Sequence, residues 1–147
     1  MTEMSFVIHE IPVTKKNSQQ ILINRVTHRP FVMPSVAYKR FEEAAGKYLL
    51  PSRGKALTEP VNVLYRFYMP SRRRVDLANL ISAMDDVLVR WKVLADDNRD
   101  IIAAHDGSRV YYDKDAPRVE ILITPMEGYK QWGTEQSKKY TGGKGPC

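Results

Sequence analysis

Two different spacings of apolar side chains run through this chain, and its fold must satisfy both. In VNVLYRFYM (61 to 69) and RVEILIT (118 to 124) apolar residues alternate with other residues, the spacing of a strand with one face buried. Val36, Tyr38, Phe41, Ala44, Ala45, Tyr48 and Leu49 recur at helical spacing instead, as do Leu77, Leu80, Ile81, Met84, Leu88 and Trp91. A chain of 147 residues supports one core of ordinary size rather than two. Both patterns must therefore share it, which predicts a single mixed α/β (α+β) domain, a small mixed sheet carrying two main helices.

The remaining elements fit around that frame. Met4 to Ile11 is β-branched and apolar up to Pro12 and reads as a first strand, followed by the polar VTKKNSQQ turn. Residues 19 to 33 hold two short apolar runs about THRP, consistent with a hairpin, and Pro34-Ser35 resembles a helix start. PSRGKALTEP is a loop by composition, and ADDN is an acidic turn closing the second helix. Ile101 to Tyr112 reads as an irregular strand in which Asp106-Gly107-Ser108 is a turn. The domain is expected over 1 to 126, with 127 to 147 a polar, Gly-rich, basic tail.

Lys and Arg outnumber Asp and Glu by 23 to 17, a formal charge of +6, so the surface favours polyanions, of which nucleic acid is the commonest. The only cysteine is Cys147, which excludes an internal disulfide and a thiolate metal site and suits a reducing cytoplasm. No run approaches the ~18 apolar residues of a membrane span, and no exported or membrane-bound protein is expected. His9, His28 and His105 lack ligand spacing, so core or surface roles are expected for them.

Chemistry concentrates in PSRRRVDLANLISAMDDVLVRWKVLADDN, residues 70 to 98. A basic triplet precedes an aspartate at a helix start, and two acidic pairs follow. Mg²⁺ takes hard oxygen ligands, usually one or two carboxylates with waters and substrate phosphate, and lowers the pKa of a bound water. Adjacent arginines hold the phosphate. Taken singly the parts are mundane: Asp76 is most simply an N-cap, Asp85-Asp86 a solvated helix face, and Asp96-Asp97-Asn98 a turn. By helical periodicity Asp86 shares a side with Asn79 and Ser82, opposite the Leu77, Met84, Leu88 stripe.

Together, these residues resemble the RusA-type Holliday-junction resolvases. Arg72, Arg73 and Arg74 match that family's basic run, Asp76 its first acid, Asn79 its asparagine, Asp86 and Leu88 its later Asp-x-Leu, and Asp96-Asp97 its closing pair. The early strand ending at Pro12 with Lys16-Asn17, the Pro-Ser helix start and APRVEILIT extend the likeness loosely over residues 5 to 125. Two positions depart: Ala78 stands where the family has a second acid, and Ser82 where it has a catalytic lysine. The resemblance implies a homodimer that resolves four-way or related branched DNA by hydrolysis assisted by Mg²⁺, with Mn²⁺ as a substitute. Asp76 and Asp97 would be metal ligands and Asp96 an accessory ligand or orienter. Arg72 to Arg74, Lys15 and Lys16 would contact DNA, with Asn79, Ser82 and Asp86 accessory.

One rival reading is a junction-binding dimer of the same fold that has lost cleavage through Ala78 and Ser82. Another, an unrelated basic RNA-binding protein, lacks support from any RNP-like aromatic motif or GxxG clamp. A geometric difficulty remains, because Asp76 opens a helix of about four turns that Asp97 follows, roughly 20 Å away. Either residues 91 to 97 run back nearly fully extended at ~3.3 Å per residue, or the partner chain supplies Asp97. The expectation is that the Asp76 and Asp97 carboxylates approach within about 8 Å in the functional assembly, room for one hydrated Mg²⁺.

Overall fold

The computed structural model describes residues 2–15, 20–33 and 35–129. Lys16, and the expected tail from residue 130 onward, lie outside the described residues. The strands are β1 (Met4–Ile8), β2 (Gln20–Ile23), β3 (Pro30–Met33), β4 (Val61–Met69), β5 (Ile102–Ala104), β6 (Arg109–Tyr112) and β7 (Arg118–Pro125). The helices are α1 (Val36–Tyr48) and α2 (Leu77–Arg90). No helix among the described residues is long and apolar enough to cross a membrane.

β4 organises the sheet. It pairs antiparallel with β7, which pairs antiparallel with β1, while β5 and β6 lie one after the other along its opposite edge, both parallel to it. Val61, Val63, Tyr65 and Phe67 alternate along β4 and are fully buried. Both helices cover that face. Leu80, Ala83, Met84, Val87 and Leu88 form the buried stripe of α2, with Leu77, Ile81 and Trp91 partly buried at its margins, and Tyr38, Phe41 and Ala45 are buried from α1. Leu64, Arg66 and Tyr68 point to the other face, which no described helix covers.

Local chemistry explains the element ends. Ser35 caps α1 by accepting from Tyr38 N–H at 3.0 Å, and Asp76 caps α2 by accepting from Ala78 N–H at 2.9 Å. The expected hairpin is present: Asn24 accepts from Val26 and Thr27 N–H through its side chain, and His28 takes a positive φ of 58°. The irregular strand of 101 to 112 divides at Gly107, where φ is 88° and a Cβ would lie 2.8 Å from Leu64 Cδ1. Asn62 and Ser108 side chains fill the interrupted ladder. Asn62 Oδ1 accepts from Asp106 N–H at 2.8 Å, and Ser108 Oγ accepts from Tyr65 N–H at 3.1 Å.

The helices meet where Trp91, just past α2, donates from its indole N–H to the Glu42 carbonyl at 2.8 Å. Gly46 supplies the space, since a Cβ there would lie 2.6 Å from Trp91 Cζ2 and 2.7 Å from Cε2. The indole is also flanked by the Arg53 and Arg90 guanidinium groups, 4.1 and 4.5 Å from its ring. It has little room to retreat. Gly46→Ala is therefore expected to destabilise the fold by about 1–3 kcal/mol through overpacking, against a helix-propensity gain of at most ~1 kcal/mol. A urea midpoint equal to or above that of the parent would refute this packing argument.

Candidate functional site

The arginine triplet lies in the extended segment between β4 and α2. Val75 packs on the core while Arg72, Arg73 and Arg74 stay exposed. The Arg72 guanidinium lies 4.7 Å from the Tyr112 ring of β6, which fixes one of the three against the sheet. Asp76 is exposed, with Oδ1 engaged in capping and Oδ2 carrying no hydrogen bond among the described residues. Along the adjoining flank of α2, Asn79 is half-buried, Ser82 exposed and Asp86 half-buried. The Lys15 ammonium pairs with the Asp86 carboxylate and lies 5.4 Å from the Tyr38 ring. These two sequence candidates thus meet each other.

Asp96 and Asp97 sit beyond the other end of α2, both exposed. The chain does not run back along the helix. After Lys92, with φ 57°, Val93 N–H donates to Leu88 O at 2.9 Å and Ala95 N–H to Leu57 O at 2.9 Å, holding the segment beside the entry to β4. Asp96 then closes a small turn: Oδ1 accepts from Asp97 N–H at 2.8 Å and Oδ2 from the Asn98 amide at 3.1 Å. The Asp97 N–H, then the Asn98 amide, hold the Asp96 carboxyl below the usual carboxylate range.

The fourteen residues of α2 separate Asp76 from this turn by about 21 Å of axial rise. Of the two routes open to a shared site, the extended return along the helix is not taken by residues 91–97. No group of three or more His, Cys, Asp or Glu among the described residues is placed to hold a metal ion. The donors are exposed carboxylates, the type that Mg²⁺ accepts, but one chain does not gather them.

A third cluster lies midway along α2. Asp85, expected on a solvated face, has a side chain only 13% exposed and turns inward. Its Oδ1 accepts from the Tyr65 hydroxyl at 2.7 Å and its Oδ2 meets His105 Nε2 at 2.9 Å. His105 Nδ1 lies 2.8 Å from the Val63 carbonyl, which only accepts, so Nδ1 carries a proton. Nε2 faces the Asp85 carboxylate, a contact that favours a second proton on the ring. Burial acts to lower the His105 pKa, but the Asp85 hydrogen bond and charge, with the Val63 carbonyl and Asp106, outweigh it and hold the ring above its ordinary value. Burial, then Asp85, push the Tyr65 hydroxyl far up. His105, for which a core or a surface role is expected, is half-buried at the edge of the core, and its partner Asp85, twenty positions away, follows no spacing rule. The buried register of Tyr65 is the signal that a polar partner must lie on α2.

Among protein families, the model for endodeoxyribonuclease RusA matches residues 12–124. That range contains the basic run, both helices and all the acids discussed above. No curated protein matches the chain.

The His105 contact sets a pH dependence whose sign follows from its raised pKa. Its stabilisation is complete below the unfolded histidine value of about 6.5 and is lost as pH rises through the higher folded value. Between about pH 6 and pH 9 the parent should lose unfolding free energy that His105→Gln does not lose. Parallel pH profiles of the urea midpoint for the two proteins would contradict the raised His105 pKa.

Proposed function

The chain belongs to the endodeoxyribonuclease RusA family, and from that premise we propose that it is a structure-specific endonuclease resolving Holliday junctions and related branched DNA in recombination and repair, in a reducing cytoplasm. The observation that carries the mechanism is the division of the acids between opposite ends of α2. Two copies related by a twofold axis, with their α2 helices antiparallel, bring the Asp76 end of each against the Asp97 end of the other. Such a homodimer holds two equivalent composite sites, and a four-way junction presents two equivalent strands to them.

In each site Asp76 and Asp97 would hold the metal ion, and Asp96, locked in its turn, would act as an accessory ligand or orient Asp97. Mg²⁺ or Mn²⁺ held there would supply a water acidic enough to act as nucleophile. Arg72, Arg73 and Arg74 hold the phosphate backbone beside Asp76. Asn79 and Ser82 line the flank with short polar side chains, Ser82 standing where the family has a lysine and Ala78 beside Asn79 where it has a second acid, and the Lys15–Asp86 pair borders it. Ala78 and Ser82 also favour a second reading, a dimer that binds junctions without cutting them. That reading predicts binding indifferent to Mg²⁺ and no nicks in a synthetic four-way junction at any Mg²⁺ or Mn²⁺ concentration.

Asp97→Asn is expected to abolish junction cleavage while leaving junction binding intact or tighter, since it removes a metal ligand and one charge that repels phosphate. Asp76→Asn should be equally inactive. Mixing the two inactive proteins distinguishes composite from single-chain sites, because in a mixed dimer one composite site regains both native acids. Nicking should return to roughly a quarter of the parent's site number after random exchange, as single rather than paired nicks. Failure to recover any nicking in exchanged dimers would rule out the composite arrangement. Separately, Arg73→Ala should lower the slope of log K against log[salt] by about one for a lost phosphate contact, and an unchanged slope would show that Arg73 faces away from DNA.

A further inference from the structure

The sheet face that no described helix covers carries a second arrangement suited to DNA. Register places Tyr68 of β4 between Arg118 of β7 and Tyr111 of β6, making a row across three strands. The Tyr68 and Tyr111 rings stack with centroids 5.1 Å apart and planes at 20°, and the Arg118 guanidinium lies 3.8 Å from the Tyr68 centroid. The row is held from one end. Arg118 donates to Asp113 at 2.9 Å, to Glu120 at 3.1 Å and to the Ala116 carbonyl at 2.8 Å, and the Tyr68 hydroxyl donates to Glu120 at 3.1 Å. At its other end the row stops on β6, which pairs only with β4 among the described strands. Tyr111 is 39% exposed there, and no other ring or guanidinium among the described residues covers it.

The neighbouring row is cationic. Two residues back along each strand, Arg66 lies directly opposite Arg109. Like charges facing each other across a ladder oppose folding unless something offsets them. Arg66 has only a 3.7 Å approach to Glu120, a carboxylate already engaged by Arg118 and Tyr68, and Arg109 is exposed with no ion pair among the described residues. Two strand positions amount to about 7 Å, within the reach of one arginine side chain. A ligand that fits both rows has a flat aromatic face beside an anion.

We propose that Tyr111, with Arg109 and Arg66, binds an unpaired nucleotide of single-stranded DNA, the base stacking on the Tyr111 ring and the phosphate meeting the two guanidinium groups. Solvated tyrosines and arginines are common on strands and alone mean little. What separates this patch is a stack already ordered on one side, a ring left open on the other, and two facing cations beside it, of which only Arg66 approaches a carboxylate among the described residues, one it shares with Arg118 and Tyr68. A duplex keeps its base faces stacked and does not offer one to Tyr111, whereas a separated strand does. The site lies on the opposite side of the sheet from α2, apart from the acids that α2 carries at its ends. The choice of DNA rests on the nuclease reading above. Stacking on Tyr111 would let the protein hold a strand that has left its duplex at a branch point.

The test uses the full chain and a fluorescein-labelled oligothymidylate, read by anisotropy, with a hairpin duplex and an oligouridylate as comparison probes. Tyr111→Ala should weaken oligothymidylate binding by about 5- to 100-fold, the range for losing one stacked base. It should leave duplex binding unchanged and lower the thermal midpoint only by the loss of one cross-strand aromatic pair, and Tyr111→Phe, which keeps the ring face, should bind as the parent does. Arg109→Ala should lower the salt slope for oligothymidylate by about 0.7. Unchanged affinity in Tyr111→Ala, or no oligothymidylate binding by the parent, would overturn the proposal, and much tighter oligouridylate binding would overturn its assignment to DNA. Junction cleavage is scored on the same preparations. Tyr111-dependent binding without cleavage would count against the nuclease reading alone, and Asp97-dependent cleavage with Tyr111-independent binding against this site alone.

Discussion

Four side chains on one face of β4, those of Val61, Val63, Tyr65 and Phe67, have no exposure to solvent, and the placing of the other elements follows from keeping them dry. Both edges of the strand are paired, so cover has to come from above, and the helices provide it. Because β5 and β6 run parallel to β4, the chain must return to the starting end of β4 before it can pair, and α2 is that return. A helix with this task begins at one end of the sheet and finishes at the other. The separation of Asp76 from Asp96 and Asp97 is thus a consequence of strand direction.

Tyr65 makes this burial specific. A phenolic hydroxyl under a helix needs a partner, and Asp85 provides one while His105 secures Asp85 from the far side. The three groups tie β4, α2 and the segment after β5 at a single point. They also fix the rotation of α2 about its axis more sharply than aliphatic contacts do, since hydrogen bonds tolerate little angular change. That rotation decides which flank, with Asn79, Ser82 and Asp86, is turned outward.

Much of this architecture is legible in the sequence because it is locally encoded. The alternation in 61 to 69, the helical stripes, the Ser35 and Asp76 caps and the hairpin around Asn24 each depend on residues within a few positions of one another. The features that escape a sequence reading join distant positions. Asp85 and Asp86 are adjacent and chemically alike, yet one turns into the core to meet His105 and the other pairs with Lys15, and only the packing of three elements separates their fates. The path of residues 91 to 97 is set by Leu57 and Leu88, neither of which advertises that role. The first strand also stops earlier than its composition predicts, at Ile8, which pairs with Val119.

The break at Gly107 has a consequence for how this protein behaves in company. It divides the outer border of the sheet into pieces of three and four residues, with an irregular register where β5 meets β4 and Arg109 at the start of β6. An unbroken border of seven or eight residues would present a continuous line of amide and carbonyl groups on which another chain could lay a strand, and another upon that. Two short, offset pieces with a cation between them offer no such template. A second chain is thereby denied a continuous template along this border of the sheet.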